Sequence, residues 1–138
     1  MEKMSIDDKP AQRRGVIALM ERDGKYLVIT RSQTIIAPGA VCFPGGGIED
    51  GETPEEALKR ECREELGVSV HSLRFFTQSV TPWNVHLRWY FAALDGDAVI
   101  TANPAEVAAV QWMPLDEIRQ CGNVLESNLP IIDQLMNV

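Results

Sequence analysis

The chain reads as a mixed α/β domain on three grounds. Strand-like apolar runs lie on both sides of one sharply delimited helix, two further helical stretches follow near the C-terminus, and turn signals separate the pieces. At 138 residues and 45% hydrophobic composition there is material for one ordinary core. A single domain over 1–138 is therefore expected, with 1–12 a flexible N-terminal segment.

From the N-terminus, Val16 to Met20 and Tyr26 to Thr30 are apolar runs separated by a segment containing Asp23-Gly24, a hairpin signal. Ser32 to Ala40 is rich in small residues and reads as a loop. It leads into Val41-Cys42-Phe43, which stops at Pro44-Gly45-Gly46-Gly47, residues that favour irregular backbone. The helix comes next. Thr53 suits the N-cap, Pro54 the first helical position, and Glu56 completes a capping box with Thr53. Gly67 suits the left-handed residue that ends it, giving about 13 residues and about 20 Å. Beyond it, Ser72 to Val80 and Val85 to Leu94 are strand-like and joined by Thr81-Pro82-Trp83-Asn84. Alternation puts Val85, Leu87, Trp89 and Phe91 on one face, the core side. Asp95-Gly96-Asp97 marks a turn, Val107 to Met113 reads as a strand, and Pro114 to Arg119 and Asn128 to Met136 read as helices. No repeat or low-complexity tract interrupts this order.

Composition excludes several function classes. The three cysteines, Cys42, Cys62 and Cys121, have neither zinc-site nor disulfide-framework spacing, so a reduced, cytoplasmic protein is expected. No run approaches the roughly 20 apolar residues of a membrane span, and Met1 to Arg14 lacks the apolar segment of a signal peptide. A net charge of -7 argues against a protein that grips nucleic acid by neutralising many phosphates. An acidic protein that handles anionic phosphates needs bound cations, which turns attention to where the carboxylates cluster.

They cluster on the helix. With Glu61 as the origin of a wheel, Glu64 falls about 60° to one side and Glu65 about 40° to the other, so the three share a face. Leu58, Cys62 and Leu66 occupy the adjoining arc, while Glu55, Glu56, Lys59 and Arg63 fall on the remaining side. A solvated acidic surface is the competing reading. It fits less well, because like charges three and four apart destabilise a helix and Lys59 and Arg63 lie on the wrong side to relieve them. Hard divalent cations such as Mg²⁺ take carboxylate, phosphate and water oxygens together, the donor set such a cluster supplies.

These residues resemble the signature of the Nudix hydrolase family, the MutT-related Nudix box, written G-x5-E-x7-R-E-U-x-E-E-x-G-U with U aliphatic. The chain supplies Gly46, Glu52, Arg60-Glu61-Cys62, Glu64-Glu65 and Gly67-Val68. Its seven fixed positions would arise by chance in a chain of this composition with a probability on the order of 10⁻⁶. The one departure is Cys62 at an aliphatic position, where a small buried thiol serves the same packing role. The flanking strands and a glutamate, Glu106, upstream of Trp112-Met113-Pro114-Leu115 extend the likeness over most of the chain.

The resemblance implies an α/β/α sandwich around a mixed sheet and a pyrophosphohydrolase active on a diphosphate linkage. It implies Mg²⁺ as cofactor, with Mn²⁺ as substitute, bound by Glu61, Glu64, Glu65 and the Gly45 carbonyl. Glu52 and Arg60 fasten the loop to the helix, and the general base is Glu64, Glu65 or Glu106. Metal-bridged phosphates and a more acidic water overcome the repulsion that otherwise stops attack on a diphosphate. The glycine run is neither a Rossmann fingerprint nor a Walker loop, since Glu52 stands where the phosphate-binding lysine belongs. For substrate contacts, Arg31, Trp83, His86 and Arg88 are candidates, with Tyr90 on the same strand face as the last two. Loop packing competes as the role of Trp83, and solvent exposure competes for the others. The expected partner is a small nucleotide: a nucleoside triphosphate first, or else ADP-ribose, a nucleotide sugar or a dinucleoside polyphosphate. A non-catalytic nucleotide sensor of the same fold is the rival class, and a homodimer is the assembly suggested by analogy.

Overall fold

Side chains alternating along two strands divide the core into halves. In the computed structural model, which describes residues 13–137, β1 (Arg14–Leu19) and β3 (Lys25–Arg31) send Val16, Ala18, Leu27 and Ile29 to one side and Ile17, Leu19, Tyr26 and Val28 to the other. The expected flexible segment 1–12 lies outside the described residues. On the first side these residues pack against Ala57, Leu58, Cys62 and Leu66 of α1 (Pro54–Leu66). On the second they meet Ile118 of α2 (Leu115–Gln120) and Ile131, Ile132 and Leu135 of α3 (Leu129–Met136). Strands lie between helices, the α/β/α layering expected.

The remaining strands are β2 (Glu21–Arg22), β4 (Val41–Cys42), β5 (Gly45–Gly47), β6 (His71–Val80), β7 (His86–Ala93) and β8 (Val107–Met113). One sheet runs β5-β1-β7-β6 and is mixed, because β1 pairs parallel to β7 and antiparallel to β5. In the other, antiparallel, sheet β3 pairs with β2, β4 and β8.

Two expectations need correction. The first apolar runs do not form one long hairpin: both edges of β1 are taken by β5 and β7, so only β2 folds back on the start of β3, around Asp23 (φ 54°) and Gly24 (φ 79°). The glycine run is not irregular either. Gly45–Gly47 forms β5 against β1, where its backbone groups find partners. Elsewhere boundaries move by one residue or so, and a short 3-10 turn, Glu126–Asn128, precedes α3.

Of the residues expected on the β7 core face, Leu87 and Trp89 are buried, and Val85 and Phe91 pack against the same cluster. Trp89 is fully buried, stands edge-on to Phe43 and donates its indole N–H to Ser79 Oγ at 2.9 Å. Trp89→Ala is expected to cost about 3–5 kcal/mol, read by chemical denaturation, through the cavity left behind. A loss under about 1 kcal/mol would show that this half of the core collapses freely.

Candidate active site

Helix α1 begins and ends as its sequence dictates. Thr53 Oγ1 accepts the Glu56 N–H (3.1 Å), Glu56 Oε1 accepts the Thr53 N–H (2.9 Å), and Gly67 closes the C-terminus at φ 65°. Its buried positions are Ala57, Leu58, Glu61, Cys62, Glu65 and Leu66. Glu61 and Glu65 thus lie within the buried arc and not merely beside it, at 8% and 4% exposure. Burial pushes the Cys42 thiol up to about 11 and the Cys62 thiol up to about 12, so both are protonated packing groups at neutral pH.

What holds two buried carboxylates in place is the glycine strand. The Gly45 N–H donates to Glu65 Oε1 at 3.0 Å. Gly46 lies directly on the Glu61 carboxylate, so that any Cβ there would overlap it. Register makes this inevitable: β5 is locked to β1 by Val16 opposite Gly46, and α1 packs on both.

Glu106 completes the group. Ligand oxygens of Glu61, Glu65 and Glu106 lie within 4.8 Å of one another. Glu106 arrives on the segment between β7 and β8, which docks onto the end of α1 through Thr101 N–H to Leu66 O (2.8 Å) and Asn103 N–H to Glu65 O (2.9 Å). Asn103 then turns the chain: its Oδ1 accepts the Ala105 N–H and its Nδ2 donates to Glu106 Oε2 at 3.3 Å. Ser32 fastens the same segment to the end of β3, giving its N–H to Glu106 O and its hydroxyl to Ala105 O. Neither Asn103 nor Ser32 figured among the sequence candidates, although Asn103-Pro104 is a turn signal that marks the spot.

Glu64 stands apart from these three. It projects from the rim of α1 with its side chain 49% exposed and meets Arg60 Nη1 at 3.2 Å. Arg60 is the local counter-charge: it donates to Glu52 through Nε (2.7 Å) and Nη2 (3.0 Å), to Glu61 (2.9 Å) and to the Gly47 carbonyl (2.8 Å). Glu52, ahead of the helix, is thus hydrogen-bonded to Arg60 within it, and Arg60 also contacts Glu61 and Glu64. The Arg60 hydrogen bonds hold Glu52 down to about 2. The buried glutamates move the other way. Burial, then the Glu61 charge, pushes Glu65 up to about 8, and burial raises Glu61 despite Arg60. A carboxylate cluster that resists its own ionisation, with close approach guaranteed by Gly46, fits a hard divalent cation.

The substrate candidates divide between two adjoining cavities. Arg31 and Trp83 line one of about 590 Å³ that runs along Gly45–Gly47. There Arg31 Nε donates to Ile36 O at 2.7 Å, bracing the 32–40 loop, and Trp83 is 66% exposed. His86 and Arg88 line the other, of about 670 Å³. Arg14, Ile48 and Leu87 border both. Tyr90 is a correction: it is buried in the α1 half of the core, where it accepts the Arg88 Nε–H and donates to Glu55 Oε2. His71 sits on the surface against Asp95.

Comparison with known proteins bears on this arrangement. A sequence model of the NUDIX domain matches residues 9–135. Nucleoside triphosphatase NudI of Escherichia fergusonii and of Salmonella agona are each 41% identical over 73 residues, 52% of this chain and 48% of theirs. The chain thus spans about half the length of the curated relatives it matches. Among solved structures, a MutT NUDIX hydrolase from Burkholderia pseudomallei superimposes with a TM-score of 0.74 at 23% identity, over 88% of this chain and 96% of that one. The MutT protein of Methanosarcina mazei Go1 does so with 0.72 at 18%, over 91% and 93%. Both share the fold.

Proposed function

Because this chain belongs to the Nudix hydrolase family, we propose that it hydrolyses a diphosphate linkage in a nucleoside triphosphate or another nucleoside diphosphate derivative, with Mg²⁺, or Mn²⁺ in its place, as cofactor. The observation that carries the reading is the convergence of Glu61, Glu65 and Glu106 beside the glycine strand. Those three would hold the metal, and the Gly45 N–H fixes Glu65 by a hydrogen bond. When bound, a divalent ion there neutralises diphosphate oxygens and makes water more acidic.

The chain's own groups do the rest. Glu64, the exposed carboxylate of the four, accepts the proton of the attacking water, because a base must return its proton to solvent each turnover. Arg60 orients Glu61 and Glu64 together and, through Glu52, fixes the loop that leads into α1. Arg31 and Trp83 receive the nucleotide along the glycine strand, the guanidinium toward phosphate and the indole toward the base. The named activity of the NudI relatives supports a triphosphate as the first substrate to try.

The test is product identification from a panel of nucleoside triphosphates, ADP-ribose, nucleotide sugars and dinucleoside polyphosphates, with and without Mg²⁺. Turnover is expected only with metal, and Glu64→Gln is expected to slow it by about 10²-fold or more. Metal-independent turnover unaffected by Glu64→Gln and Glu65→Gln overturns the proposal, and tight nucleotide binding without any cleavage replaces it with the sensor reading.

A further inference from the structure

The face of β7 that is buried under α1 at Tyr90 and Ala92 turns polar at Arg88 and His86, toward the N-terminal end of that helix, and Arg88 carries a fixed positive charge there. Strand register gathers the charges. Arg14 opens β1 opposite His86, and Gln78 of β6 stands opposite Arg88. With Ser79 and with Pro54 of the first α1 turn they wall the second cavity, whose lining among the described residues contains no carboxylate. Among the described residues neither Arg14 nor Arg88 forms an ion pair. Among the described residues the Tyr90 hydroxyl links Arg88 indirectly to Glu55, at 3.3 Å.

Arg88 is also held rigidly, which a merely solvated arginine is not. Its Nε donates to Tyr90 Oη at 3.1 Å, its guanidinium lies 4.3 Å from the centroid of the Phe75 ring, and Nη1 reaches Gln78 Oε1 at 3.5 Å. A guanidinium oriented in this way presents its remaining N–H groups as a fork, the arrangement that suits a tetrahedral oxyanion. In a chain of net charge -7, such a cluster is a local reversal of sign.

We propose that the cavity walled by Arg14, His86, Arg88 and Gln78 is a phosphate-binding subsite, separate from the glutamate cluster. Because Arg14, Ile48 and Leu87 border both cavities, a nucleotide seated along the glycine strand can place one phosphate there. The subsite stands on this cavity alone and does not require that the chain cleave anything.

The experiment uses the full chain without metal, titrated separately with inorganic phosphate and with adenosine 5′-monophosphate at constant ionic strength, chloride serving as control. NMR signals of the His86 ring and the Arg88 guanidinium report site occupancy. Saturable shifts are expected with phosphate, and Arg14→Gln and Arg88→Gln should each weaken binding about tenfold or more. Arg119→Gln, whose arginine pairs with Asp133 between α2 and α3, should leave it unchanged. Tighter binding of the nucleotide than of phosphate, lost in the same variants, identifies a ligand-borne phosphate, whereas equal binding identifies the free ion. The subsite is refuted by the absence of saturable shifts at His86 and Arg88, or by phosphate affinity that survives both cavity substitutions. Arg14 lies at the exposed start of its strand, so its variant remains informative if loss of Arg88 perturbs folding.

Discussion

Glu65→Gln is expected to reduce turnover by about 10³-fold or more while making the metal-free protein more stable at pH 8. The two effects have one cause. Glu65 is buried, its value is pushed up to about 8 by that burial and by the charge of Glu61, and the amide of glutamine retains an oxygen to accept the Gly45 N–H. In the unfolded chain the same carboxyl titrates near 4.5. A group raised on folding binds more protons in the native state, so its contribution to stability is complete below about pH 4.5 and declines as pH rises toward 8. The wild-type metal-free protein should therefore lose about 5 °C or more of Tm between pH 5 and pH 8, and the variant should lose less. Mg²⁺ should reverse the order at pH 8, since it binds the ionised cluster and stabilises only the protein that has it. Thermal melts at the two pH values, with and without Mg²⁺, read all of this. A wild-type melting point that climbs from pH 5 to pH 8 without metal would show that Glu65 folds as a satisfied, ionised side chain.

Much of this cluster is legible in the one-dimensional pattern because a helix converts spacing into direction. Thr53, Pro54, Glu56 and Gly67 define the helix ends, and within that frame Glu61 and Glu65 must stack on one face four residues apart. Less visible is the depth of that face. Leu58, Cys62 and Leu66 mark a buried stripe, but only Ala57 on the far flank brings both glutamates inside it, and a lone alanine is a weak signal. Glu64 illustrates the converse: of the helix's carboxylates it lies nearest to Glu61 on the wheel after Glu65, yet it falls at the rim and joins Arg60. The two-cavity arrangement depends on pairing between strands far apart in the chain. Nothing in local periodicity announces that Arg14 will lie beside His86, or that Tyr90 will be covered by α1 while Arg88 on the same face is not. The hairpin at Asp23-Gly24 is likewise correct locally and wrong in extent, because turn chemistry is local and the occupancy of the β1 edges is not.

Gly46→Ala is expected to lower turnover by about 10²-fold or more and stability by about 2–3 kcal/mol, through a single methyl group. A Cβ at this position overlaps the Glu61 carboxylate. Neither partner can step aside cheaply. Gly46 is fixed opposite Val16 in the β5–β1 ladder, and Glu61 is buried and held by Arg60 at 2.9 Å. Either the strand leaves β1, losing its backbone hydrogen bonds, or the carboxylate swings out and dismantles the Glu61, Glu65 and Glu106 group. Gly47→Ala is the matched control: among the described residues its new Cβ would find only the Arg14 carbonyl, at 3.9 Å, an ordinary contact. A second substitution separates the two losses. Glu61→Ala in the Gly46→Ala background removes the obstruction, so the double variant should regain stability relative to the sum of the single changes without regaining activity. Equal turnover and equal denaturation midpoints for Gly46→Ala and Gly47→Ala would refute this role of Gly46. Close apposition of a glycine backbone to a buried carboxylate would then have no part in shaping the site.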